Sequence, residues 1–151
     1  MSIRRILFPT DFSELSKPAE KFACELADQF VAELHVLHVL HDFFMTMPWT
    51  ASALLVPPEL LNEVTASAEV ELRAIPPKAW SFDVNVVRVV RTGSTFDTIV
   101  KYVTDNAIDL IVIGTHGRTG LPQVLLGSLA ERVVQHATCP VLTVRSGSRT
   151  A

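Results

Sequence analysis

Apolar residues along the chain cluster in five short runs that are typical of strands. The runs are rich in β-branched residues and are bounded by glycine, proline or polar residues, as expected of strands buried in a parallel sheet. The stretch 41–58 has no such pattern and is predicted to be a variable loop. The predicted strands, in chain order, are residues 4–9, 33–40, 82–90, 110–113 and 139–144.

Between these runs the apolar residues recur every three or four positions, which is the period of an amphipathic helix. Pro18 is tolerated only in the first turn, so the first helix is expected to begin between Ser13 and Ser16, either of which can cap it. Pro57 and Pro58 favour the start of the second helix, and Gly93 precedes the third. The fourth helix is predicted to span residues 129–136. The residues predicted to face the core are Leu15, Ala19, Phe22, Ala23, Leu26 and Phe30 in the first helix, Leu61, Val64, Ala68, Leu72 and Ile75 in the second, and Phe96, Ile99, Val100 and Val103 in the third.

This alternation of strands and helices predicts a doubly wound α/β domain. A single five-stranded parallel sheet, in the order 3-2-1-4-5, would carry helices on both faces. In that order the chain reverses direction between the first and fourth strands, and ligands bind beyond the carboxyl ends of strands at such a reversal. The segments that leave these two strands are residues 9–11 and 114–117, so we expect them to form one crevice.

Composition narrows the class of protein. A chain of 151 residues suits one domain, and 48% hydrophobic residues with a mean hydropathy of +0.32 suit a well-covered sheet and an apolar subunit interface. No apolar run approaches the ~20 residues that span a bilayer, and the start lacks a signal-peptide cleavage region, so a cytoplasmic location is expected. The net charge of −3 argues against nucleic-acid binding. Cys24 and Cys139 lie in apolar contexts and are expected to be buried, reduced thiols.

Residues 114–128 concentrate glycines and hydroxyls between the fourth strand and the fourth helix. Glycines let backbone N–H groups approach an anion, and the free N–H groups and dipole of the following helix favour negative charge. Gly114, Gly117, Gly127 and Ser128 follow the spacing G-x2-G-x9-G-[ST]. This order of strand, glycine loop and helix predicts a phosphate-binding site.

This spacing occurs with Ile-Leu-Phe-Pro-Thr-Asp-Phe-Ser near the start and Cys-Pro-Val-Leu-Thr-Val near the end. Together they make the chain similar to the universal stress protein family over nearly its whole length. In that family the G-x2-G-x9-G-[ST] pattern separates members that bind ATP from those that do not. The resemblance implies an adenine nucleotide α-hydrolase-like fold that binds ATP, with AMP as the alternative, and Mg²⁺ would enter only with the phosphates.

Carried over by position, the resemblance also implies the residues that contact the nucleotide. Those implied around adenine and ribose are Pro9, Thr10, Asp11, Val39 and Gly114. Those implied around the phosphates are Gly117, Gly127, Ser128 and Leu129, through backbone N–H groups and the Ser128 hydroxyl, with Ala130 continuing the same turn. His116 and Arg118 lie in the same loop and are further candidates for contact with the ligand.

Some of these residues also have a purely structural interpretation. Ser128 and Glu131 have the spacing of a capping box, which would explain the serine by helix stability alone. Asp11 can cap the first helix or position Ser13. Arg118 can be a solvated side chain with no ligand contact.

No catalytic residue is predicted. His35, His38 and His41 are spaced by three, but a strand directs His35 and His38 to opposite faces, which argues against a zinc triad. His116 has no neighbouring carboxylate in sequence to orient it as a base. The chain also lacks a P-loop, a nucleophile elbow and the kinase signatures, so fast phosphoryl transfer is not expected.

The favoured hypothesis is a dimeric, ATP-binding stress-response regulator whose conformation or assembly depends on the nucleotide. The resemblance implies that the apolar edge strand 141–144 pairs with its twin in a homodimer. The alternatives are a slow ATPase using the same pocket and a non-enzymatic dimeric module that holds AMP, a cyclic nucleotide or nothing. The domain is expected to span residues 1–146, followed by a polar tail at 147–151.

Overall fold

The computed structural model describes residues 2–41, 57–78, 80, 83–115 and 127–147, so the predicted variable loop and the middle of the glycine loop lie largely outside it. The strands are β1 (Arg5–Pro9), β2 (Glu33–His41), β3 (Val86–Gly93), β4 (Leu110–Gly114) and β5 (Val141–Val144). The helices are α1 (Lys17–Phe30), α2 (Pro58–Arg73), α3 (Thr95–Asp105) and α4 (Ser128–His136), and a 3-10 turn at Glu14–Ser16 precedes α1. Among the helices described, none is long and apolar enough to span a bilayer.

The sheet has the predicted topology. Its five strands lie in the order β3-β2-β1-β4-β5, and all neighbouring strands run parallel. The central strand β1 pairs with β2 on one side, where Pro9 lies opposite Leu37, and with β4 on the other, where Leu7 lies opposite Ile111. The chain therefore reverses direction between β1 and β4, and the doubly wound α/β fold is confirmed.

Each face of the sheet carries its own hydrophobic core. In β1, Ile6 and Phe8 pack with residues of α1 and α2 on one face. Leu7, which points the other way, packs with residues of α3 and α4. All three side chains are fully buried, which explains why β1 is a continuous apolar run rather than an alternating one.

The face that α1 buries differs from the prediction. Small residues, Ala19, Ala23 and Ala27, are fully buried against the sheet, whereas Phe22 and Phe30 are 47% and 43% exposed. Because the small residues let the helix backbone approach the sheet closely, the larger side chains lie at the margin of the contact.

The second helix is also less buried than its pattern predicted. Leu61 and Val64 are exposed, while Ala68 and Leu72 are buried, as is Ile75 just after the helix. Only the second half of α2 therefore packs against the sheet.

Several element boundaries differ from the sequence-based expectations. The 3-10 turn begins at Glu14, within the expected window, but regular α-helix begins at Lys17. Neither Ser13 nor Ser16 caps this helix through its side chain. The Ser16 hydroxyl donates to the Ser13 carbonyl at 2.7 Å, and the Ser13 hydroxyl donates to Asp11 Oδ1 at 2.6 Å.

Two strands also begin later than predicted. β3 begins at Val86 and continues to Gly93, and β5 begins at Val141. Pro140 has no N–H to donate, although its carbonyl still accepts from the Ile111 N–H at 3.0 Å. Cys24 and Cys139 are both free, but only Cys24 is buried, whereas Cys139 is partly exposed.

Candidate functional site

A cleft lies at the carboxyl ends of β1 and β4, where the chain reverses direction. Its cavity volume is about 120 Å³. Six of the residues predicted to contact a nucleotide line it, namely Pro9, Thr10, Asp11, Val39, Gly114 and Leu129. The structure thus brings the ends of β1, β2 and β4 and the start of α4 to one crevice, as the topology requires.

The other predicted contact residues have different positions. Gly127 and Ser128 lie at the start of α4, where Ser128 is exposed, and Ala130 is buried in the core beneath. His116, Gly117 and Arg118 lie outside the described residues.

Sequence reasoning missed half of the cleft lining. The additional residues are Ser16, Leu37, His38, Thr95, Ile99 and Ile113. Leu37 and Ile113 belong to predicted strands next to the reversal point, so the strand order contained a signal for them. Thr95 lies just after the carboxyl end of β3, so the strand order also contained a signal for this residue. For His38, the spacing by three points only to a metal ligand, and no sequence pattern marks it as part of the cleft.

The connection between β1 and α1 is held by hydrogen bonds centred on Thr10. The Thr10 N–H donates to the Leu37 carbonyl at 2.9 Å, and Thr10 Oγ1 accepts from the Phe12 N–H at 3.0 Å. The Thr10 and Ser16 hydroxyls also share a hydrogen bond of 3.4 Å. These contacts tie the end of β1 to β2 and to the start of the connection that leads into α1.

Asp11 performs one of the structural roles predicted for it. Its Oδ1 accepts from the Ser13 N–H at 3.0 Å and from the Ser13 hydroxyl at 2.6 Å. The carboxylate therefore positions Ser13 while it also lines the cleft.

The start of α4 differs from the predicted capping box. The N-cap residue is Gly127 rather than Ser128, and no side chain caps the helix. Ser128 is the first helical residue, and the Glu131 N–H donates to the Gly127 carbonyl at 2.9 Å as an ordinary helical bond. The capping box is therefore wrong, because its serine lies one position too far into the helix.

The Gly127 N–H also differs from its predicted role as a phosphate donor. It donates to the Thr115 carbonyl at 2.6 Å, so it is already occupied. The next three N–H groups, those of Ser128, Leu129 and Ala130, belong to the first turn and have no acceptor within the helix. These donors and the positive end of the helix dipole lie at the start of α4, where Leu129 lines the cleft.

The two buried histidines of β2 lie on opposite faces, as predicted. His35 Nδ1 is 2.8 Å from the Tyr102 hydroxyl and Nε2 is 2.8 Å from Glu33 Oε1. Burial raises the pKa of the Tyr102 hydroxyl. His38 instead contacts the β1–α1 connection, and the described part of the chain contains no cluster of three or more metal-ligating side chains.

Comparison with known proteins identifies the family. The model of the universal stress protein family matches residues 2–145. The universal stress protein MJ0531 of Methanocaldococcus jannaschii is 37% identical over 143 residues, which cover 94% of this chain and 82% of that protein. The chain belongs to the universal stress protein family. YxiE of Bacillus subtilis, another universal stress protein, is 30% identical over 93% of this chain and 98% of its own length.

Solved structures of this family share the fold. The structure of MJ0577, also a universal stress protein of Methanocaldococcus jannaschii, has a TM-score of 0.83 and 30% identity, covering 98% of this chain and 100% of that one. At 19% identity, a universal stress protein in complex with cAMP has a TM-score of 0.72, covering 97% of this chain and 100% of its own. An Arabidopsis thaliana family member with AMP bound, also 19% identical, has a TM-score of 0.66, covering 96% of this chain and 93% of its own.

Proposed function

We propose that this universal stress protein binds an adenine nucleotide, ATP first among them, in the carboxyl-end cleft and acts as a dimeric regulator in the cytoplasm. The observation that carries the proposal is the convergence of Thr10, Asp11, Val39, Gly114 and Leu129 on one cleft. Family members of the same fold contain cAMP and AMP, which supports an adenine nucleotide as the ligand class.

The base and ribose would occupy the part of the cleft between β1 and β4. Apolar side chains of Ile99 and Ile113 form its floor, while Thr10 and Asp11 supply polar groups at its wall. A flat heteroaromatic ring with polar edges suits this combination of an apolar floor and a few fixed polar groups.

The phosphates would lie against the first turn of α4. Leu129 lines the cleft, and the N–H groups of Ser128, Leu129 and Ala130 belong to that turn and have no acceptor within the helix. Mg²⁺, if bound, would bridge the phosphate oxygens rather than a set of protein ligands.

Direct binding measurements test the nucleotide proposal. Isothermal titration with ATP, AMP and cAMP should give saturable binding, with ATP tightest, and chromatography of the denatured protein should release an adenine nucleotide. Parallel assay of phosphate release separates a regulator from a slow ATPase. If no adenine nucleotide is released and none binds on titration, the proposal is wrong.

A pair of serine variants tests the phosphate site. Ser128→Ala removes the hydroxyl at the start of α4. It should weaken ATP binding severalfold, because one hydrogen bond to a charged phosphate is lost. The unfolding free energy should change little, because Ser128 is not a cap. Ser94→Ala is the matched control at the start of α3, where the serine also makes no capping bond, and it should leave ATP binding unchanged.

The homodimer belongs to the same proposal. β5 is an edge strand of the sheet, and Leu142 on β5 and Val134 on α4 are exposed apolar side chains next to that edge. Pairing of two β5 strands would cover both the open edge and these side chains. Leu142→Asp should convert a dimer into a monomer in sedimentation equilibrium, whereas a wild-type monomer at all concentrations would contradict the dimer.

A further inference from the structure

His38 is a buried side chain of β2 that reaches across to the β1–α1 connection. Its Nδ1 lies 2.8 Å from the Thr10 carbonyl oxygen. Because a carbonyl only accepts, Nδ1 carries the proton and donates this hydrogen bond. The imidazole also stacks on the Phe12 ring, with 4.3 Å between ring centroids and 26° between planes. His38 therefore holds both neighbours of Asp11.

The bond from His38 to Thr10 replaces a backbone bond at the end of the β1–β2 ladder. The Thr10 N–H donates to the Leu37 carbonyl, and in a parallel ladder the Thr10 carbonyl would then accept from the Val39 N–H. Within the described residues no backbone bond joins Val39 to Thr10. The imidazole N–H donates to the Thr10 carbonyl instead. The Val39 N–H therefore has no bond to Thr10, and Val39 lines the cleft.

The connection that His38 supports has an unfavourable backbone conformation. Phe12 has a φ of 62°, in the left-handed region that is costly for a residue with a side chain. The Phe12 N–H bonds to Thr10 Oγ1, and its ring packs on the imidazole. Loss of the imidazole removes one of these supports and releases the Thr10 carbonyl at the same time.

We propose that His38 is a positioning residue for base recognition. By holding the Thr10 carbonyl and the Phe12 ring, it fixes Asp11 at the cleft wall and keeps the Val39 N–H available to a ring nitrogen of adenine. This inference rests on the proposed function. Adenine presents an acceptor at N1, whereas the hypoxanthine base of ITP carries a proton there, so selectivity for ATP over ITP reports the alignment of the Val39 N–H.

Three variants separate this role from a merely structural one. His38→Phe keeps an aromatic ring on Phe12 but removes the donor, and His38→Asn keeps an N–H donor at the same distance along the side chain. His35→Phe is the matched control, because it removes a buried histidine from the same strand but from the opposite face. Dissociation constants for ATP and ITP are measured for each by titration calorimetry, with urea denaturation as a check on folding.

We expect His38→Phe to weaken ATP binding about tenfold and to bring the ATP and ITP dissociation constants close together. His38→Asn should retain most of the selectivity for ATP over ITP. His35→Phe should be less stable but should show the wild-type selectivity. If the wild type binds ATP and His38→Phe keeps the wild-type selectivity, the inference is overturned.

A ligand-free measurement distinguishes failure of this inference from failure of the proposed function. If the wild type binds neither nucleotide, the proposed function fails, and the amide NMR signals of Thr10, Asp11, Phe12 and Ser13 then decide the role of His38. Shifts in His38→Phe that are absent from both His38→Asn and His35→Phe support positioning by the imidazole donor. Unchanged signals in His38→Phe overturn it.

Discussion

The two ends of the sheet each contain a cavity, and the larger cavity is not the proposed site. The amino-end cavity has a volume of about 280 Å³, against about 120 Å³ for the carboxyl-end cleft. Its lining consists of Cys24, Ala27, Leu34, Pro76, Val84, Asn85, Val86 and Arg88. Volume alone favours the amino end, whereas the convergence of strand ends and a helix N-terminus favours the carboxyl end.

The polar groups at the amino end are used by the fold itself. Arg88 Nε donates to the Leu72 and Ile75 carbonyls, both at 3.0 Å, and so satisfies backbone groups at the end of α2. The Asn85 amide donates to the Glu33 carboxylate. At the carboxyl end, by contrast, the first-turn N–H groups of α4 have no acceptor within the helix. Substitutions at the amino end should therefore affect stability, and those at the carboxyl end should affect ligand affinity.

The largest expected effect concerns the reactivity of Cys24 in the amino-end cavity. Burial, with Glu20 and Glu25 nearby, raises the pKa of this thiol from 9.0 to about 12. At pH 8 its thiolate fraction is then about a thousandfold lower than in the unfolded chain, and the thiolate is the nucleophile. Iodoacetamide should alkylate Cys24 of a Cys139→Ser variant about a thousandfold more slowly in the native state than in urea, as measured by mass spectrometry. Similar rates in both states would mean that the amino-end cavity is open to solvent and polar.

Truncation of Leu34 should lower stability without changing nucleotide binding. Leu34 is 1% exposed and forms part of the amino-end cavity wall, so Leu34→Ala enlarges an existing cavity. The unfolding free energy in urea should fall by about 3 kcal/mol. Leu60→Ala, at a residue that is 48% exposed, is the control and should change it by less than ~0.5 kcal/mol. A change in the ATP dissociation constant of Leu34→Ala at full folding would show that the two ends are coupled.

The strand order and the location of the cleft were predictable because both depend on local, repeated patterns. The apolar runs that became β1 and β4 identify strands without knowledge of their neighbours. Once the strand order is known, Pro9, Thr10 and Gly114 must lie close together, since the carboxyl ends of parallel strands lie at the same edge of the sheet.

Details that depend on competing partners were not predictable in this way. Ser128 has the spacing of a cap, but the actual N-cap is Gly127, whose N–H is held by the Thr115 carbonyl. His38 donates to a carbonyl 28 residues away in the chain, a contact that no local pattern encodes. Phe22 fits the helical period but lies at the margin of the buried face.

Gly127→Val should affect ligand affinity more than stability, which is the reverse of Leu34→Ala. Gly127 has φ −64° and ψ 150°, a conformation open to any residue, so the backbone itself does not require glycine. A branched side chain would instead obstruct phosphates that approach the start of α4. The ATP dissociation constant should rise about tenfold, equivalent to about 1.4 kcal/mol, and less in the Gly127→Ala control. Equal losses in affinity and unfolding free energy would indicate a structural role only.

The smallest expected effect is a pH dependence of stability. It comes from Glu20, whose side chain is buried near the carboxyl ends of the strands. Glu20, in the first turn of α1, is buried, and burial raises its pKa above 4.5 even though Lys17 lies 3.5 Å away and opposes the shift. The folded state therefore retains this proton to higher pH than the unfolded state. Its contribution to stability is fully present below pH 4.5 and is lost as the pH rises through the folded pKa.

Glu20→Gln should remove that contribution, so the unfolding free energy of the wild type should fall relative to the variant as the pH rises above 4.5. Urea denaturation at a series of pH values measures the difference, and Glu25→Gln, which removes an exposed carboxylate from the same helix, is the control. Glu20 does not line the cleft, so the ATP affinity of the folded variant should stay at the wild-type value. An altered affinity would extend the binding region beyond the cleft into α1, whereas a stability difference that is constant with pH would show that Lys17 offsets the burial of this carboxylate completely.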